Sequence, residues 1–203
     1  MRTLTIVVTG LLVAAAAAFA APAGHAGAVD TPTCNGQTAT KWLSSPGTLT
    51  GTNGPDVLVG SAGADEIRGH GGSDTICGGD GDDAITGGSG DDTIVGEGGA
   101  DTIAGNLGND FLRGDWSDVT DCSTGFGDDI MTGGTGDDRI ADVCGSNLGD
   151  GGAGRDQVDV SGTALGGSGD DGRINATNGL FQGCEPCVVA FADGGPGNDD
   201  NVR

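Results

Sequence analysis

Residues 51–113 read GTNGPDVLV GSAGADEIR GHGGSDTIC GGDGDDAIT GGSGDDTIV GEGGADTIA GNLGNDFLR, which is one nine-residue phrase written seven times without a gap. The first and fourth places of the phrase are always Gly, the sixth is always Asp, and the eighth is always Leu or Ile. Seven copies in strict register cannot reasonably arise by chance. The phrase therefore decides the fold of the chain.

Each part of the phrase has its own backbone preference. Gly at the first and fourth places permits positive φ, so the first six residues can form a tight turn. The last three residues are β-prone, and their alternation points the eighth place inward. Two phrases close one coil, and residues 18 apart stack at about 4.8 Å, the spacing of paired strands. The sequence predicts an all-β fold, a parallel β-roll (β-solenoid) with two repeats per coil and irregular, disulfide-tied caps.

The sixth-place aspartates would form a ladder along each edge of such a roll. Stacked carboxylates repel each other unless a cation lies between them. Aspartate is also an ordinary turn residue, but its occurrence at one position in seven consecutive copies favours a metal repeat. One edge carries Asp56, Asp74, Asp92 and Asp110, and the other carries Asp65, Asp83 and Asp101.

The core of such a roll is too thin to hold it together. Each coil buries two aliphatic side chains, worth about 2 kcal/mol each, whereas ordering its residues costs about 1 kcal/mol each for the backbone alone. Metal binding must fill this deficit. An oxygen-only site of carboxylates and turn carbonyls suits Ca²⁺ and does not suit Zn²⁺, which prefers His and Cys. The 18-residue Asp pairs of residues 51–113 suggest about five shared ions there.

Four looser phrases follow at residues 124–159 and add sixth-place carboxylates to the metal candidates. The full set of predicted carboxylate ligands is Asp56, Asp65, Asp74, Asp83, Asp92, Asp101, Asp110, Asp129, Asp138 and Asp156. The predicted turn positions at the metal are the first-place glycines Gly60, Gly69, Gly78, Gly87, Gly96 and Gly105.

The phrases at 78–86 and 87–95 match the calcium-binding consensus G-G-x-G-x-D-x-(aliphatic)-x at every defined place. The chain therefore resembles the RTX, or haemolysin-type calcium-binding, family. The strict match covers residues 51–113. The resemblance implies a calcium-loaded β-roll and says little about biological role.

Outside the repeats, the chain divides by composition. The apolar start with Arg2 predicts a secretory signal peptide cleaved after Ala28 or Ala20; a transmembrane anchor is the alternative. Residues 114–123 are one longer than the period, and we interpret them as a degenerate half-coil with a bulging loop. The predicted segments are a signal peptide 1–28, an N-terminal cap 29–50, a roll 51–159 interrupted at 114–123, and a C-terminal cap of degenerate repeats 160–203.

The six cysteines follow the predicted signal peptide, and an even number in an exported chain suggests disulfides. Sequence alone leaves 15 connectivities open for six cysteines. Proximity favours Cys122 with Cys144 and Cys184 with Cys187, which leaves Cys34 to join Cys77. The pair at 184 and 187 is also compatible with a redox pair or half of a zinc site.

Composition narrows the functional classes. The chain has 30 acidic and 8 basic residues, a formal charge of −22, which disfavours nucleic acid and anionic membranes as partners. No protease, esterase or phosphate-binding motif is present, and the only histidines are His25 and His70. An ice-binding solenoid would need a regular outward ladder, which the third places of the phrases lack.

We therefore expect a secreted, extracellular calcium-binding protein without catalytic activity, in a structural or surface-interaction role with a cell-surface or matrix partner. The mature chain is not expected to insert into a membrane. The alternative is an accessory or remnant module of an RTX-type secreted hydrolase. A further alternative is an enzyme whose catalytic part is residues 160–203; a catalytic histidine there would favour it, and the segment has none.

Overall fold

The computed structural model describes residues 31–115, 122, 126–169 and 171–176. The predicted signal peptide, the Cys184 and Cys187 pair and the tail beyond residue 176 lie outside the described residues. Across the described part of the chain, no helix is long and apolar enough to cross a bilayer. The strands are β1 Thr33–Cys34, β2 Gln37–Thr38, β3 Lys41–Trp42, β4 Thr48–Thr50, β5 Val57–Val59, β6 Glu66–Gly71, β7 Thr75–Asp80, β8 Ala84–Ser89, β9 Thr93–Gly98, β10 Thr102–Leu107, β11 Phe111–Asp115, β12 Ile130–Thr135, β13 Arg139–Ala153, β14 Gln157–Leu165 and β15 Arg173–Ala176.

These strands wind into a parallel β-roll of about seven turns, which confirms the predicted fold. One face has the strand order β3-β5-β7-β9-β11 and the other β4-β6-β8-β10-β12. The long strand β13 joins the two faces, because its first residues pair with β11 and its last residues pair with β12. Ile76 pairs with Ile94 and Ile67 with Ile85, so neighbours on each face are one 18-residue coil apart.

A single column of aliphatic side chains fills the space between the two faces. Every eighth-place residue of the strict phrases is at most 2 % exposed, as predicted from strand alternation. The column contains Leu49, Leu58, Ile67, Ile76, Ile85, Ile94, Ile103, Leu112, Met131, Ile140, Val158, Val160, Ala164 and Ile174. Each half-coil thus contributes about one side chain, so the core is as thin as the sequence predicts.

The interruption after residue 113 adds no half-coil, so that interpretation is wrong. Met131 pairs with Ile103 and Ile140 pairs with Leu112, so both pairs span one 18-residue coil plus ten extra residues. Gly114 and Asp115 therefore take the first two places of the phrase that ends with Met131 and Thr132, and the ten extra residues lie between Asp115 and Phe126. Counting residues cannot distinguish a ten-residue half-coil from a ten-residue excursion, because both restore the phase.

The roll continues past residue 160 in shortened coils. Gly149 pairs with Ala164 and Val158 pairs with Ile174, so the spacing falls to 15 and then 16 residues. Gly149 lacks an eighth-place side chain, and a Cβ built there would lie 2.8 Å from Val158 Cγ1 and 3.1 Å from Val160 Cγ1. The adjacent valines therefore occupy the space that Gly149 leaves.

Two disulfides tie irregular segments to the roll, and both pairings were predicted. Strands β1 and β2 form a hairpin around Asn35 and Gly36, which both have positive φ, as two-residue hairpin turns require. The hairpin packs on the outer side of one face, where the Cys34–Cys77 disulfide lies among valines. The second disulfide, Cys122–Cys144, joins the ten-residue excursion to β13.

Candidate metal centre

The sixth-place aspartates are buried in the turns that precede the strands. Asp74 precedes β7 and Asp92 precedes β9, and these residues are only 2 % and 1 % exposed. The tight turn folds each carboxylate back under the coil instead of toward solvent. All ten predicted carboxylates, from Asp56 to Asp156, are buried.

One oxygen of each carboxylate is bound to the coil before it. The backbone amide of Asp74 donates to Asp92 Oδ1 at 2.8 Å, and the amide of Asp83 donates to Asp101 Oδ1 at 2.9 Å. The same bond repeats across the ten-residue excursion. The bonds form two ladders, one through Asp56, Asp74, Asp92, Asp110, Asp138, Asp156 and Asp171, the other through Asp65, Asp83, Asp101, Asp129 and Asn147.

The other oxygen of most of these carboxylates is buried without a hydrogen-bond donor. An ionised oxygen removed from water costs several kcal/mol unless it is paired or bound to a metal. Regular repetition of this arrangement along the roll is strong evidence for a cation. The atoms are Oδ2 of Asp74, Asp83, Asp92, Asp101, Asp110, Asp129, Asp138 and Asp156.

The first-place glycines bring a backbone carbonyl to the same spot. A Cβ on Gly87 would collide with Asp92 Oδ2 and would lie 3.0 Å from the carbonyl oxygen of Gly105 in the next coil. The missing side chain therefore leaves room where a carboxylate and a carbonyl oxygen converge. The carbonyl oxygens that face a first-place glycine of the preceding coil in this way are those of Gly69, Gly78, Gly87, Gly96 and Gly105. Gly60 differs, because it supplies the space beside Asp65 Oδ2 and the Gly78 carbonyl but no carbonyl of its own.

The two N-terminal carboxylates differ from the rest because the protein satisfies them. Asp56 Oδ2 accepts bonds from the amide and the hydroxyl of Thr52 at 2.6 and 2.8 Å, and its Oδ1 accepts one from Thr40. Asp65 similarly accepts from the amides of Ser61 and Gly47. Burial raises the pKa of Asp56, but these donors outweigh burial and hold it below its ordinary value.

Further along the roll the electrostatic balance reverses. Burial, together with the carboxylates one coil away, raises the pKa of Asp83 and Asp92 to about 6, against the lowering effect of the amide bond. The same causes raise the pKa of Asp101 and Asp156 to about 7. Without a cation, the ionised form of these carboxylates is therefore less favourable than that of an ordinary aspartate. A positive charge in the turn would stabilise it.

Asn147 shows what happens where the sixth place carries no charge. Its Oδ1 accepts the ladder bond from the Asp129 amide at 2.8 Å. Its Nδ2 donates to the carbonyl of Cys144 and to Ser161 Oγ. The amide thus keeps the ladder and puts a satisfied donor where an aspartate has a bare oxygen, as expected for a place without a cation.

The sequence prediction missed several acidic features. Fifth-place residues form a separate, exposed ladder, in which Asp91 Oδ1 accepts from the Asn109 amide at 2.9 Å. Asp171 extends the buried ladder beyond the predicted ligands, because the Asp156 amide donates to its Oδ1 at 3.1 Å. Asp115 and Asp142 lie buried close to Asp129. An Asp in the first place of the phrase at 142, where the strict phrases have Gly, was a visible signal for this last group.

The donor set fits calcium. It consists of carboxylate and carbonyl oxygens, which Ca²⁺ accepts in flexible geometry at six to eight positions. Among the described residues, neither carboxylate ladder contains an imidazole or a thiolate, which are the ligands that Zn²⁺ prefers.

Comparison with known proteins agrees with this geometry. The family model of the RTX calcium-binding nonapeptide repeat (four copies) matches residues 50–85, 86–118 and 123–141. No curated protein matches the chain. The matched segments contain both carboxylate ladders up to Asp138 and the turns that carry them. The segments that the family model matches therefore contain RTX calcium-binding nonapeptide repeats.

Proposed function

We propose that this chain is a secreted calcium-binding protein whose β-roll folds when Ca²⁺ enters the turns. The observation that carries the proposal is the row of buried, donor-less Oδ2 atoms, each beside a first-place glycine. The aliphatic column is thin, so apolar burial gives little compensation for that many desolvated charges. Extracellular calcium modules bind with Kd of about 10⁻⁴ to 10⁻³ M, which matches millimolar calcium outside cells.

The direct test is a calcium titration of the metal-free chain. Far-UV circular dichroism in EDTA should show a largely unfolded chain, and millimolar Ca²⁺ should produce a β spectrum. Magnesium at the same concentration is the control, because it demands near-octahedral geometry and keeps its water. A β spectrum in EDTA at neutral pH that calcium does not change would contradict the proposal.

Asp92 and Asp91 offer a matched pair of variants for the same test. Each carboxylate accepts one backbone amide bond from a neighbouring coil, at 2.8 and 2.9 Å. Only Asp92 is buried and has a bare second oxygen. We expect Asp92→Asn to reduce the number of bound ions measured by atomic emission, and Asp91→Asn to leave it unchanged. Equal loss in both variants would mean that net charge, and not the buried ladder, attracts calcium.

We infer about five ions for the strict block, which is one for each bare carboxylate between Asp74 and Asp110. Asp83→Ala should affect two sites, because Asp83 bonds to the Asp65 amide and its own amide bonds to Asp101. Asn147→Ala should remove none. Calorimetric titration of both variants ranks them, and the same calcium loss in both would overturn the ranking.

The proposed role is structural or adhesive and lies outside the cell. The charge of −22 and the exposed fifth-place carboxylates favour a cationic surface or matrix component as partner, and they disfavour nucleic acid. Two disulfides are consistent with an oxidising compartment. We also infer that the chain has no catalytic activity of its own, because His70 lies exposed near the end of β6 and the carboxylates are committed to the ladders. Reproducible hydrolysis abolished by a point mutation in this chain would refute that inference.

A further inference from the structure

The coil beside the ten-residue excursion departs from the regular turn in two ways. Gly114 takes the first place of the phrase whose sixth place is Asp129. The next residue, Asp115, stands in the second place. One coil later, Asp142 stands in the first place, which is Gly in all the strict phrases.

These departures gather three carboxylates. Asp115, Asp129 and Asp142 are at most 1 % exposed, and each offers an oxygen within 4.8 Å of the other two. Asp142 is held by two amides, because Asp115 N donates to its Oδ2 at 2.9 Å and Cys144 N donates to its Oδ1 at 3.1 Å. The Asp101 amide likewise holds Asp129 through Oδ1 at 2.8 Å.

The carboxylate oxygens that these amides leave unpaired indicate a bound ligand. Both oxygens of Asp115 and Oδ2 of Asp129 are buried and accept no hydrogen bond. The amide of Gly127 is near enough to lower the pKa of Asp115, but no donor reaches either oxygen in hydrogen-bonding geometry. Neither ion pair of the described residues, Arg68 with Glu66 or Arg173 with Asp159, includes any of the three.

Comparison with the regular turn one phrase earlier shows how this one differs. A Cβ on Gly105 would meet Asp110 Oδ2 and, at 2.8 Å, the carbonyl oxygen of Gly133. A Cβ on Gly114 would instead collide with two carboxylate oxygens, one from Asp129 and one from Asp142. A neutral ligand of the regular turn is thus replaced by a charged one, and Asp115 adds a third carboxylate.

We propose that Asp115, Asp129 and Asp142 form a distinct calcium site that binds its ion more tightly than the regular turns of the roll. The proposal rests on the proposed function only in that calcium is the ion. Calcium affinity rises with the number of charged ligands and with the rigidity of the site, and this site exceeds the regular turn in both. Rigidity comes from the two amides on Asp142 and from the Cys122–Cys144 disulfide, which ties the excursion to the strand that carries Asp142.

The electrostatics agree with the geometry. Burial, together with the charges of Asp142 and Asp101, raises the pKa of Asp115 to about 8. Burial also raises the pKa of Asp129 and of Asp142. Three ionised carboxylates cannot share this space without a cation between them.

The test starts from the calcium-loaded full chain and counts retained ions. The chain is equilibrated with chelator-buffered solutions of falling free calcium, bound calcium is measured by atomic emission, and folding is followed by circular dichroism. The wild type should keep one ion at a free-calcium concentration about tenfold or more below that at which the other ions leave.

Three variants assign that ion. Asp142→Gly restores the repeat consensus and should convert the tight site into an ordinary one, and Asp115→Asn removes one charge with little change of shape. In both, the last ion should leave together with the others. Asp128→Asn is the control, because Asp128 is the exposed neighbour of Asp129 and accepts only the Ser146 amide, so the tight ion should stay.

The outcomes separate this proposal from the general one. A wild-type chain that binds calcium but releases every ion in one step would refute the distinct site and leave the proposed function intact. Retention of the tight ion in both Asp115→Asn and Asp142→Gly would refute the assignment. A wild-type chain that binds no calcium even at millimolar free calcium would refute both proposals.

Discussion

Acid should partly replace calcium in folding this roll. Burial raises the pKa of Asp83, Asp92, Asp110 and Asp138 to about 6, from an ordinary value of 3.8. Because the folded-state pKa lies above the unfolded one, the proton stabilises the folded chain. This stabilisation is fully present below about pH 4 and is lost as the pH rises from there through about 6.

The expected effect is large. A shift of about two pKa units corresponds to about 3 kcal/mol per carboxylate, and screening by water near the turns reduces it to about 1–2 kcal/mol. Four such groups together change the stability of the metal-free roll by about 4–8 kcal/mol, which is comparable with the whole stability of a small domain. The metal-free chain should therefore be unfolded at about pH 8 and substantially folded at about pH 4.

Circular dichroism of the metal-free chain across this range is the measurement, with sedimentation to exclude association near the isoelectric point. Asp92→Asn is the diagnostic variant, since it should stabilise the metal-free roll at about pH 8 by about 1–2 kcal/mol while weakening calcium binding. Asp91→Asn should do neither. If the metal-free spectrum is the same at both pH values, or if β structure appears only in aggregates, the reasoning is wrong.

Three further predictions concern the calcium-loaded roll, with denaturation in excess Ca²⁺ as the measurement. Ile94→Ala should cost about 3 kcal/mol by leaving a cavity in the aliphatic column, whereas Leu107→Ala, at a 56 % exposed position, should cost little; similar costs would deny that the column is the core. Gly149→Ala should cost about 1–3 kcal/mol, since its Cβ would lie 2.8 Å from Val158 Cγ1, and an unchanged midpoint would show that the valines move aside freely. Glu97→Gly should raise stability by about 0.5–1 kcal/mol because Glu97 has a φ of 82°, and a loss of stability would mean that its side chain makes a favourable contact.

The regular part of the fold could be predicted from sequence because one residue type recurs at each place for one physical reason. Ile94 is inside since it is the eighth residue of a phrase, and Asp92 is under the turn since it is the sixth. The same regularity predicted calcium as the ion, whereas the Cys34–Cys77 disulfide was predicted from the proximity of the other cysteines to one another.

The rest could not be predicted because it depends on contacts between coils. The ten extra residues after Asp115 keep the nine-residue phase whether or not they form a half-coil of the roll. Only the pairing of Leu112 with Ile140 shows that they do not form one. Val160 fills the space above Gly149 across a coil boundary, which no count along the chain shows. The satisfied carboxylate of Asp56 likewise depends on Thr40, which precedes the repeats.

The uniform column of the roll has a consequence for how the chain reaches its native state. A coil shifted by 18 residues would again place aliphatic on aliphatic and carboxylate on carboxylate, so misregistered rolls would be nearly as favourable as the native one. Only the irregular positions break this degeneracy. Val158 and Val160 fill the space at Gly149, the Asn147 amide finds its acceptors at Cys144 and Ser161, and each disulfide fixes an irregular segment to one strand of the roll. If these irregular positions were replaced with consensus phrases, the native register would no longer be more stable than the shifted registers, and the chain would fold into kinetic traps more often.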